Sequence, residues 1–168
     1  MNPTTWLEKT VPGFRLLSEP ERAAIKDFAV LWTVYEGNVL NASANAAAIV
    51  RVTNSLATTA KFSLDELSLP IKYFKDRYFD GAELTDAFLG LHMRRNDHPQ
   101  LVETVLRDRS KNEAEILSAI LIIIYRLRNN LFHGVKWSYG IRDQLANFQN
   151  ANAVLMWVIE AHLSAAAG

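Results

Sequence analysis

From Glu113 to His133 the chain carries one long helical pattern, and from Ile116 to Tyr125 it is apolar at every position except Ser118. A helix that is apolar all round must be covered on all sides. The run is too short to cross a bilayer, which takes about 20 apolar residues, and it ends in Arg126 and Arg128. It therefore predicts a central helix wrapped by others. Its main stripe, Ile116, Ile120, Ile123, Leu127 and Leu131, recurs at i+3 or i+4, so these residues should share one buried face.

The rest of the chain follows the same period. No alternation of period two marks a strand, and the seven Gly and five Pro fall mostly between apolar-periodic segments. Ser18-Glu19-Pro20-Glu21 reads as a capping box with Pro just inside the helix start. It opens a helix to about Leu40 with Ile25, Phe28, Ala29, Trp32 and Tyr35 on its apolar stripe. An Ala-rich helix is predicted over 44–59. Further helical segments are predicted over 63–80, 82–93 and 100–107, and a last helix over 143–163. Asn112 or a nearby residue caps the central helix, whose first turn carries Glu113 and Glu115 at the positive end of the dipole. Gly134 is placed as its left-handed stop. The expected fold class is an all-α helical bundle of five to seven helices. Residues 1–17 are expected to form an N-terminal arm or lead-in, and residues 18–168 a single domain.

Composition narrows the function. The 168 residues suit one domain with a proper core. Eighteen basic and eighteen acidic residues cancel, so any attraction to nucleic acid needs a local patch. The absence of Cys removes disulfides, thiolate metal sites and Cys nucleophiles and fits a cytoplasmic location. The start, Met1 to Lys9, lacks a basic segment followed by an apolar core, which predicts no signal peptide. No membrane association and no cofactor are expected.

Chemistry concentrates at Arg128-Asn129-Asn130-Leu131-Phe132-His133-Gly134. Arg can hold a phosphate by a forked pair of hydrogen bonds. His can move a proton near neutral pH. Arg126, Asn129, Asn130 and His133 fall at i, i+3, i+4 and i+7 and form a polar face beside the core stripe. Arg128 projects well over a right angle away from His133 on an ideal helix. It joins that site only if its side chain bends round or a second protomer completes it. From Arg126 through Arg142 there are Lys or Arg residues and no acid, a local basic stretch in which Lys136 and Trp137 are candidate substrate contacts. The bland alternative is a dipole-stabilising His at a helix end and a solvated polar face. His92, Asp97 and His98 match no familiar metal spacing, so no metal site is assigned. They belong instead to a solvated loop or an extension of an RNA-binding surface. Glu36, mid-helix among aromatic residues, either pairs with Arg126 or Arg128 or ends an exposed turn.

The order Arg128-Asn129-x-x-x-His133, at the end of a long apolar helix in a small all-α chain, resembles the HEPN superfamily. The early segment Phe28 to Glu36 is similar to the Trp-and-Glu helix of several HEPN subfamilies. The resemblance implies a metal-independent RNA endonuclease, a toxin or defence effector acting as a homodimer whose motif-bearing helix ends meet in one cleft. In that frame His133 is general base or acid, Arg128 holds the phosphate, and Asn129 orients either. Arg126, Asn130, Lys136 and Trp137 would contact substrate, and an antitoxin or defence-operon protein is a possible partner. Val135 stands where toxins paired with small nucleotidyltransferases often carry Tyr, which argues against a nucleotidyltransferase antitoxin. The alternatives are a catalytically silent HEPN module for dimerisation or RNA binding, and an unrelated helical scaffold.

Overall fold

The computed structural model describes residues 2–59, 62–132 and 144–167. Among them are eight α-helices and three short 3-10 turns, with no strand and one isolated bridge between Phe79 and Leu84. The helices are α1 (Pro3–Thr10), α2 (Glu19–Asn38), α3 (Ala46–Leu56), α4 (Ser68–Tyr78), α5 (Asp86–Leu89), α6 (Pro99–Leu106), α7 (Glu113–Phe132) and α8 (Leu145–Ala167). The all-α expectation holds. The count exceeds the expected five to seven because α1 lies in the segment read as an arm.

Local chemistry sets the boundaries. The Asn2 side chain accepts from the Thr4 and Thr5 amides and Pro3 opens α1, so the first residues are helical. The capping box at Ser18 forms as expected: the Ser18 amide donates to Glu21, and the Glu21 amide donates to the Ser18 hydroxyl. Asn112 Oδ1 accepts from the Ala114 and Glu115 amides at the start of α7. The helix expected over 82–93 is a correction, because only Asp86–Leu89 is α-helical there. Asp80 Oδ1 accepts from the Ala82 and Glu83 amides at 2.8 Å each, and Gly81 is left-handed with φ 98°. That turn folds Leu84 back towards Phe79 before Thr85 caps α5. After α5, His92 turns left-handed, with φ 51°, which stops the helix from continuing.

α7 is the centre of the core, with every residue from Leu117 to Ile124 buried. α3 and α6 pack against it, while α2 and α4 pack on α8. Of the predicted stripe, Ile120, Ile123, Leu127 and Leu131 are buried and Ile116 is half-buried. α2 buries Phe28, Trp32 and Tyr35, with Phe28 against Phe148 of α8. The one polar residue in the apolar run, Ser118, meets Thr53 of α3 through a buried hydroxyl–hydroxyl hydrogen bond. Among the described residues no helix is long and apolar enough to cross a membrane.

Ile123 has no exposed surface, so Ile123→Ala is expected to cost about 2–5 kcal/mol through the cavity it leaves. Val30, 60% exposed on α2, is the control: Val30→Ala is expected to stay within about 0.5 kcal/mol. Urea unfolding of the two variants beside the parent checks both.

Candidate functional site

The polar residues at the end of α7 separate into two groups. Arg126, Asn129 and Asn130 are buried, with exposures of 3%, 7% and 3%. The side chains of Arg126 and Asn130 serve the chain leaving α5. Arg126 Nε donates to the Leu91 carbonyl at 3.0 Å, and Asn130 Nδ2 donates to the Gly90 carbonyl at 3.0 Å and the Leu91 carbonyl at 3.4 Å. Arg126 Nη1 also lies 3.4 Å from Asp97 Oδ2, an ion pair in which both side chains are 4% exposed. Burial pulls the Arg126 pKa below the ordinary arginine value; Asp97 opposes this and the nearby Arg94 adds to it. Arg126 and Asn130 are therefore fasteners of the segment from Gly90 to Asp97. Both were expected as substrate contacts; in the structure the donors described for them face backbone carbonyls and a buried carboxylate.

Arg128 belongs to the second group. It stays partly open, with its side chain 29% exposed. Its Nη1 donates to Asn129 Oδ1 at 3.1 Å and its Nη2 to Glu36 Oε2 at 3.4 Å. The guanidinium carbon sits 5.7 Å from the Trp32 ring centre and 5.2 Å from that of Phe132. Glu36 is itself fixed, because Trp32 Nε1 donates to its Oε2 at 2.6 Å. Of the two partners open to Glu36, the fold selects Arg128. Two aromatic rings, one carboxylate and one amide thus hold one cation in a defined place.

Sequence reading named Arg128 and Asn129 as a pair, and the structure joins them. It missed Trp32 and Phe132 as flanks of the guanidinium. The available signal was spacing: Trp32 precedes Glu36 by one helical turn, and Phe132 follows Arg128 by one. His133, Lys136 and Trp137, the other three expected site residues, lie outside the described residues, as does Gly134. Among the described residues no three His, Cys, Asp or Glu side chains stand together as metal ligands. Asp97 of the His92–His98 segment faces Arg126 instead.

Comparison of the chain with known family models, with curated proteins and with solved structures gives no match in any of the three. What the site does must be argued from its own residues.

The two arginines should respond differently to truncation. Asp97→Ala would leave Arg126 as an unpaired buried charge, a change that typically costs about 3–5 kcal/mol. Arg128→Ala removes a half-open ion pair worth about 1 kcal/mol or less, with some lost ring contact. Thermal and urea unfolding should show a large loss for the first variant and a small one for the second. Equal large losses would make Arg128 a core residue.

Proposed function

We propose that this chain is a metal-independent RNA endonuclease of the HEPN type that acts as a homodimer. The observation that carries the reading is the state of Arg128. Among the described residues it is the one cation in the last two turns of α7 that keeps solvent access, and its guanidinium is oriented by Glu36, Asn129 and two rings. A positioned guanidinium at a helix end, five residues before a histidine in the sequence, suits the charge that develops on a phosphate during transesterification.

In the proposed reaction the 2′-hydroxyl oxygen attacks the adjacent phosphorus and loses its proton to a base. The bond from phosphorus to the 5′-oxygen breaks, and that oxygen takes a proton. The products are a 2′,3′-cyclic phosphate and a 5′-hydroxyl. His133 serves as the base or the acid, Arg128 stabilises the phosphate charge, and Asn129 holds Arg128. Because residues five apart would diverge by well over a right angle on an ideal helix, Arg128 and His133 need a second protomer to complete the cleft. The biological setting that goes with this reading is a toxin or defence effector in the cytoplasm, with an antitoxin or defence-operon partner.

One observation favours the silent-module reading instead. The Glu36 carboxylate already pairs with Arg128, and a cation partly neutralised by a structural partner has less charge to offer a phosphate.

The experiment that separates them uses a labelled RNA and its matched DNA, with EDTA present. Wild type is expected to cut the RNA and leave the DNA, which lacks the attacking hydroxyl. His133→Ala should lose about 10²–10⁴-fold in rate, Arg128→Ala should lose most activity, and Lys136→Ala should mainly weaken binding. Sedimentation should give a dimer at micromolar concentration. A requirement for Mg²⁺, equal cleavage of DNA, or activity that survives His133→Ala would sink the mechanism. An inactive wild type that still binds RNA as a dimer would establish the silent module.

A further inference from the structure

The chain between α5 and α6 forms a strap whose outward side is cationic. His92, Arg94, Arg95 and His98 are all exposed. The strap has one carboxylate, Asp97, and it is 3% exposed. Its Oδ2 accepts from the Arg94 amide at 2.7 Å and faces Arg126. The strap therefore shows two guanidinium groups and two imidazoles to solvent, while its own negative charge is spent inside.

The strap is also held more firmly than a connector requires. Arg126 and Asn130 fasten its start at Leu91, and Arg126 faces its end at Asp97. His92 and His98 both adopt left-handed backbone, with φ 51° and 52°. Non-glycine residues in that region cost on the order of 1 kcal/mol or more, and they persist where the surroundings enforce them. In a chain with no net charge, attraction for a polyanion must come from such a fixed local patch.

We propose that this strap binds the phosphate backbone of single-stranded RNA, with Arg94 and Arg95 as the phosphate contacts. The proposal rests on the ribonuclease reading and adds to it a contact surface away from the reacting atoms. Arg126 and Asn130, which fasten the strap, stand two residues either side of Arg128 and therefore on nearly the opposite side of α7, so the strap is a surface separate from Arg128, held by the same rigid helix. Guanidinium forks match phosphate oxygens, and exposed Asn96 between the arginines and Asp97 offers an amide to a sugar hydroxyl.

The test is fluorescence anisotropy with a single-stranded 2′-O-methyl RNA, which lacks the attacking hydroxyl and stays intact. The full-length protein is compared with an Arg94→Ala/Arg95→Ala double variant over a range of salt. Both side chains are exposed, so circular dichroism and melting should be unchanged. Binding should weaken on the order of tenfold, and the slope of log K against log salt should fall by about 1.4, or about 0.7 per lost phosphate contact. With cleavable RNA, KM should rise while kcat holds. An Arg94→Lys/Arg95→Lys variant should keep most of the affinity. Unchanged affinity and slope in the alanine variant, beside a wild type that binds RNA, would overturn this inference and leave the ribonuclease reading standing. A wild type that neither binds nor cleaves RNA would overturn both.

Discussion

Burial of α7, complete from Leu117 to Ile124 and continued along one side of its last turns, obliges the polar residues there to find partners inside the protein. Upstream the requirement is met trivially, because the side chains are apolar. At Arg126, Asn129 and Asn130 it is not. A buried guanidinium without a partner would cost several kcal/mol, so the chain brings up the Leu91 carbonyl and the Asp97 carboxylate. The course of the polypeptide from Gly90 to Asp97 follows from that need. Asn129 is satisfied along its own helix by Arg128, which in turn reaches Glu36 on α2. The neighbourhood of the motif is thus a consequence of hiding this helix.

The same constraint divides labour among cations of one chemical type. Arg126 neutralises an interior acid and offers nothing to solvent. Arg128 is stacked, paired and partly open. Arg94 and Arg95 stand free on a surface that Arg126 keeps in shape. Counting arginines near the motif would treat all four alike. Their burial and partners distinguish a buried fastener, a stacked and partly open cation, and two exposed ones.

Much of the fold was legible because it depends on local or periodic signals. α2 announced itself through Ser18 and Glu21, and α7 through unbroken apolar residues after Asn112. α1 was also signalled, by Asn2-Pro3, although the turn signal at Pro12-Gly13 makes the segment read as an arm or lead-in. The segment after Gly81 was not legible: its residues suit a helix, but Gly81 turns left-handed and the Asp80 and Thr85 amides donate to the Glu83 and Tyr78 carbonyls, which closes a hairpin instead. At the site, the pairing of Arg128 with Asn129 could be read from adjacency, and Glu36 was visible as a candidate. The burial of Arg126 and Asn130 could not be read, since their hydrogen-bond partners are backbone carbonyls that any sequence could have supplied and the carboxylate facing Arg126 lies far away in the chain.

The hydroxyl pair between Thr53 and Ser118 has a consequence of a different kind. Each side chain is buried, and each is the other's partner across the α3–α7 contact. The Thr53 hydroxyl also donates to the Val50 carbonyl at 3.1 Å, so the Ser118 hydroxyl is the donor between the two. An apolar residue at 53 strands the Ser118 hydroxyl without water, whereas an apolar residue at 118 leaves Thr53 its carbonyl, and replacing both can be nearly neutral. Among descendants of this sequence the hydroxyl at 118 should therefore be lost before the one at 53. Two positions far apart in the chain acquire an order in which they can change.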